Sequence, residues 1–139
     1  MIVVLDTNVV LPALNPAHPH ARILDAWYAG RFVWAVSTDI LLEYREVTVR
    51  QSGPARWQRL ERLLDLAATH RGNLLRVAPS FQFLVIRGDR DDDKFADCAI
   101  VAGADYIITE DKHFRALQGS GYRPQPIAPD RFMRQFLAT

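Results

Sequence analysis

The chain has 139 residues, of which 49% are hydrophobic and 24% charged, with 17 Lys and Arg against 16 Asp and Glu. That length suits one domain over residues 1–139 with a single core, and the balance excludes an intrinsically disordered chain. The net charge of +1 is uninformative as a sum, but acids crowd into residues 89–97 while arginines dominate residues 45–76, which implies an acidic pocket beside a basic surface. The one cysteine, Cys98, leaves no internal disulfide and fits a reducing, cytoplasmic setting. The opening run, residues 1–6, is too short and lacks the basic flank of a signal peptide, and no segment reads as a membrane span.

Residues 2–5 form a continuous apolar run, the mark of a strand buried on both faces in a parallel sheet. Asp6 then stands at its carboxyl end. Asp6, Thr7 and Asn8 suit a helix cap or tight turn, and residues 9–14 suit a short helix halted before Pro16. Asp6 is either that cap or a functional acid, and the functional reading is preferred because ligands in open α/β sheets gather beyond the carboxyl ends of strands. A helix over residues 21–28 ends at Gly30, and a second strand covers residues 32–36. His18 and His20 lack a Cys or acidic companion at zinc-ligand spacing, and His70 and His113 are isolated.

Ser37, Thr38 and Asp39 supply cap residues for a helix whose inward stripe is Ile40, Tyr44 and Val47. Glu43 falls on that stripe, either as a boundary residue satisfied by an arginine or as a site acid. Pro54 begins a further helix that buries Trp57, Leu60, Leu63, Leu64 and Ala67. Its outer residues Arg56, Arg59 and Arg62 form a solvated face or, together with Arg45, a phosphate-contacting flank. Residues 74–77 and 83–86 are strand-like.

The densest information lies in residues 89–114. An acidic run leads into an apolar, alanine-rich helix ended by Gly103, then a strand at residues 106–108 and a turn at Thr109, Glu110 and Asp111. Asp97 is the only charge in that apolar helix and needs a partner, because a dry, unpaired carboxylate costs several kcal/mol. A short helix at residues 112–117, a loop at 119–126, an edge strand at Ile127 and an amphipathic helix at 129–137 complete the chain.

Alternating strands and helices imply a parallel sheet covered on both faces. Asp6 and Asp111 then follow buried strands at one sheet edge, with Glu43 and Asp97 on helices packed over it. Four carboxylates would converge with no Lys or His among them, and their repulsion calls for a hard cation, Mg²⁺ or Mn²⁺. A metal so held activates water, and a pair of such ions clamps a phosphodiester for in-line cleavage.

The Asp6-Thr7-Asn8 turn, the helix carrying Glu43, the run from Asp97 through Thr109 to Asp111 and the terminal helix together resemble a PIN domain over almost the whole chain. The likeness extends to the toxin-like, VapC-type ribonucleases of toxin–antitoxin pairs. It implies a three-layer α/β/α fold with a mainly parallel sheet and a metal-dependent endoribonuclease that leaves a 5′-phosphate. Asp6, Glu43, Asp97 and Asp111 would be the catalytic metal ligands, with Asp92 or Asp93 joining or replacing one of them, and Thr7, Asn8 and Thr109 would support them. The implied partners are RNA, an antitoxin protein and a second copy of the chain, with Trp27, Tyr28, Phe32 and Trp34 available for contacts or for the core. A PIN-like module that binds RNA or protein without cutting is an alternative. A phosphotransferase or receiver-like domain is another, although the first would want an acid where Asn8 stands.

Overall fold

A computed structural model describes residues 1–86 and 90–138, without the side chains of residues 90 and 91. Residue 89, which opens the acidic run, lies outside that description. Five parallel strands form one sheet: β1 (Ile2–Leu5), β2 (Val33–Val36), β3 (Leu74–Arg76), β4 (Tyr106–Ile108) and β5 (Gln125–Ile127), in the order β3-β2-β1-β4-β5. The register pairs Val3 with Trp34 on one side of β1 and with Tyr106 on the other. Chain order therefore runs outward from β1 to β3, then restarts at β4 on the opposite side.

The central strand is buried at Val3, Val4 and Leu5, as its apolar run requires. Helices flank the sheet in three layers: α1 (Thr7–Ala13), α2 (Ala21–Tyr28), α3 (Thr38–Ser52), α4 (Pro54–Leu66), α5 (Arg90–Ala102) and α6 (Pro129–Phe132). Wider π turns extend α4 through Ala67–Arg71 and α6 through Met133–Leu137. Helix α5 lies across β1, β2 and β4, and its Ala96 and Ala99 are fully buried, so small side chains permit a close approach to the sheet. Gly103 ends it at φ 64°, where a left-handed residue lets Ala104 N–H turn back to Ala99 O at 2.9 Å.

An aromatic chain ties the layers. Trp27 meets Trp34 edge-on at 5.0 Å, and Trp34 leads through Tyr44 and Phe95 to Phe114. Each buried ring of this kind contributes about 1.5–3 kcal/mol relative to exposure. Trp27, Phe32 and Trp34 are thus core residues, and of the four aromatics named above for contacts only Tyr28 is exposed.

Residues 83–86 are not a strand. Phe83 N–H donates to Asp97 Oδ1 and Ile86 N–H to Asp93 Oδ1, each at 3.0 Å, so two carboxylates one turn apart on α5 take donors that a ladder would have used. The edge strand at Ile127 exists and begins earlier, pairing with β4; Pro126 is tolerated there because β5 is the edge of the described sheet. No helix among the described residues is long and apolar enough to cross a membrane.

Candidate metal centre

Strands β1 and β4 are neighbours and end together, which brings the residues after Leu5 and Ile108 to one edge. Asp6 N–H donates to Ile108 O at 3.0 Å, extending the ladder by one residue. The Asp6 carboxylate accepts from Thr7 N–H and from Thr109 Oγ1, both at 2.7 Å. Thr109 Oγ1 in turn accepts from Asp111 N–H at 2.9 Å, so one hydroxyl links the first acid to the backbone of the last. Asp6 does cap α1, as one sequence reading held, and its second oxygen still faces Thr109.

Helix α3 delivers Glu43. Its neighbour Tyr44 is buried and donates its hydroxyl to Leu5 O, which pins the helix over the end of β1. Thr7 Oγ1 donates to Glu43 Oε2, and Lys94 Nζ lies 2.8 Å from Glu43 Oε1. Helix α5 delivers Asp92 from its first turn. His113 Nδ1 lies 3.2 Å from Asp92 Oδ2 and 3.4 Å from Asp111 Oδ1, and Asp111 caps the turn that returns His113 to this position. One ligand atom each from Asp92, Asp111 and His113 fall within 4.8 Å of one another.

These groups surround a cleft of about 680 Å³ lined by Asp6, Thr7, Asn8, His18, Glu43, Arg56, Asp92 and Asp111 among others. Burial pushes the Asp6 carboxyl up from 3.8 to about 6, and the charges of Glu43 and Asp111 add to the rise against the opposing hydrogen bonds from Thr109 and Thr7. Burial first, and neighbouring carboxylates second, therefore make this acid resist ionisation. All-oxygen donors with one adjoining imidazole, held at this spacing, fit a divalent cation of the hard to borderline class.

Asp6, Glu43 and Asp111 meet here as the sequence implied, with Thr7 and Asn8 beside them and Thr109 behind Asp6. Asp97 does not line this cleft: it accepts from Phe83 N–H and faces a neighbouring groove. Helical geometry supplies the reason, since five residues at 100° each put Asp97 about 140° around α5 from Asp92, while Asp93 and Asp97 share a face. Burial raises the Asp97 pKa, with the Phe83 bond opposing and Asp93 adding to it. Asp92 is thus the acid that α5 turns toward Asp111, and Asp93 is engaged with Ile86. Of the arginine flank, Arg56 reaches the cleft, Arg45 lies between α3 and α4, and Arg59 and Arg62 are exposed on α4.

The expectation of a cleft without Lys or His is corrected by Lys94 and His113. Lys94 was hidden because it sits inside an acidic run. His113 follows Asp111 by two residues, and only a tight turn capped by that aspartate folds it back.

Comparison with protein families decides the membership: a PIN domain model matches residues 2–113. The chain belongs to the PIN domain family. PIN domains are generally nucleases. Three solved structures share this PIN domain's fold. The structure of VapBC2 from Rickettsia felis bound to a DNA fragment from its promoter aligns with TM-score 0.58 at 19% identity, over 91% of this chain and 98% of that one. VapC20 of Mycobacterium tuberculosis, a toxin that cleaves the sarcin-ricin loop, aligns with TM-score 0.56 at 14% identity, over 86% and 95%. The PIN domain of T. brucei RRP44 aligns with TM-score 0.52 at 15% identity, over 98% and 78%. Comparison with curated proteins by sequence gave no match.

Proposed function

We propose that this PIN domain is a metal-dependent endoribonuclease, the toxin of a toxin–antitoxin pair, with Asp6, Glu43, Asp92 and Asp111 as its metal-holding acids. The observation that carries the reading is the convergence of these four acids, from four elements, at the carboxyl edge of β1 and β4. When bound, Mg²⁺ or Mn²⁺ supplies an activated water and neutralises charge on a phosphoryl oxygen.

The chain's own residues arrange the rest. Thr7 N–H and Thr109 Oγ1 fix the Asp6 carboxylate, Thr7 Oγ1 orients Glu43, and the Thr109–Asp111 link sets the height of the turn beside them. Asn8 Oδ1 accepts from Glu110 N–H at 3.4 Å and steadies the opposite rim. Arg56, at the mouth, is placed to meet a phosphate of the strand. The likeness to two VapC-containing structures supports a partner protein that masks the cleft, and a homodimer belongs to the same reading.

The test is cleavage of RNA by purified protein with Mg²⁺ or Mn²⁺, with excess EDTA, and for the variants Asp92→Asn and Asp97→Asn. Cleavage that needs the cation, is lost in Asp92→Asn and survives in Asp97→Asn is expected. Activity that persists in EDTA would overturn the metal assignment. Light scattering reads the homodimer, and a monomeric mass at tens of micromolar removes it.

A further inference from the structure

Glu43 has both carboxylate oxygens engaged, one by the Thr7 hydroxyl and one by Lys94 Nζ at 2.8 Å. Both members of the ion pair are largely sheltered, with side-chain exposures of 22% for Lys94 and 18% for Glu43. The pair also has a place in the larger surface. Glu43 lines the acidic cleft and, together with Lys94, a neighbouring groove of about 860 Å³. Glu43 therefore faces both, with Lys94 bound to it from the groove side. Among the described residues lining that groove, Lys94 and Arg50 are the cations, set among Asp39, Glu46, Asp93 and Asp97.

We propose that Lys94 is the cleft's built-in counter-cation and a substrate-positioning residue. In the structure it neutralises Glu43; were Glu43 to hold a divalent ion, the Lys94 ammonium would be free beside the groove to hold a phosphate of the nucleic-acid strand. This rests on the nuclease reading above and adds a residue to it. The argument is one of charge and place. Like-charged carboxylates crowd the metal-free cleft, and an ammonium at hydrogen-bond distance offsets them; the same ammonium opposes a dication at that carboxylate. Among the described residues of this acid-rich groove, Lys94 and Arg50, the latter 3.8 Å from Glu46, are the groups that offer favourable charge to a phosphodiester, so the strand's position is set near them.

The experiment compares wild type, Lys94→Gln and Lys94→Arg. Melting in EDTA and a Mg²⁺ titration followed by melting temperature read the counter-ion role; KM and kcat on single-stranded RNA read the positioning role. Lys94→Gln should melt lower without metal, reach half-maximal Mg²⁺ stabilisation at several-fold lower Mg²⁺, and raise KM several-fold with little change in kcat, while Lys94→Arg should restore KM. A Lys94→Gln protein with unchanged or weakened Mg²⁺ response, or with unchanged KM, overturns the role of Lys94 and leaves the nuclease reading standing. A wild type that neither responds to Mg²⁺ nor cuts RNA overturns both.

Discussion

Replacing Asp6 with Asn should stabilise the metal-free protein while removing its response to metal. Asp6 is 6% exposed, and its carboxyl is pushed from 3.8 to about 6. At about 1.4 kcal/mol per pH unit, ionising it in the folded state costs roughly 3 kcal/mol at neutral pH. Asn removes that cost and keeps one acceptor for Thr7 N–H, but its amide nitrogen must then donate to Thr109 Oγ1, which gives back about 1–2 kcal/mol. The net expectation is a gain of about 1–2 kcal/mol, or several degrees in melting temperature for a chain of this size. The sign follows from linkage: the folded pKa lies above the unfolded one, so the wild type gains stability as pH falls through about 6, and that gain is complete below about 4. The advantage of the variant should therefore be largest above pH 6, vanish near pH 5 and reverse near pH 4, where only the lost Thr109 bond remains. Thermal melts in EDTA across pH 4 to 8, repeated with Mg²⁺, read all of this. Mg²⁺ should raise the wild-type melting temperature and leave the variant nearly unmoved. A variant that is destabilised in EDTA at pH 7.5 would show that Asp6 is a structural cap and not a crowded site acid.

Asp97→Ala should cost about 1–3 kcal/mol by leaving Phe83 N–H without its acceptor, and should loosen residues 81–86, seen as faster hydrogen exchange there at near-normal cleavage; loss of cleavage with intact stability would return Asp97 to the site. Cys98 is buried and its thiol is pushed up to about 12 by burial, with Asp97 adding to it, so a thiol reagent at pH 8 should label it only on unfolding; rapid labelling of folded protein contradicts that burial. Asp105 accepts from Ile2 N–H at 3.0 Å and pairs with Arg123 at 2.7 Å, and these hold its pKa below the ordinary range. Its contribution is present above about pH 4 and lost as pH falls through the depressed value, so urea melts of wild type and Asp105→Asn should differ by about 1 kcal/mol at pH 7 and converge in acid.

The strands that position the site were legible because they are apolar runs followed directly by Asp6 and by Thr109 to Asp111; burial on both faces forces that pattern. Glu43 was legible by helical spacing, three residues after Ile40 and four before Val47. The third acid was legible only as a choice between Asp97 and the pair Asp92 and Asp93. Counting the helix from Phe95 makes Asp97 its conspicuous charge, whereas the helix begins at Arg90, and from there Asp92 heads the sheet-facing series Phe95, Ala96 and Ala99. A run of consecutive aspartates hides its own helical phase, because each residue type is the same and only the following apolar residues tell them apart. Residues 83–86 misled for a related reason: a β-prone composition says nothing about whether a neighbouring strand or a pair of helix carboxylates takes its N–H groups.

The sheet order also divides the donor set between two stretches of chain. Asp6 and Glu43 belong to the part that builds β1 to β3, Asp92 and Asp111 to the part that builds β4 and β5, and the bond between Thr109 and Asp6 spans 103 positions. Neither part alone holds more than half the acids. A cut in the segment between β3 and α5 would divide the four acids between two fragments, and strand pairing of β1 with β4 would be the event that assembles the proposed centre. On the proposed function, cleavage becomes a readout of long-range docking: whatever keeps those two strands apart, whether a nick, a slow folding step or a bound chaperone, silences it without touching any of the four acids.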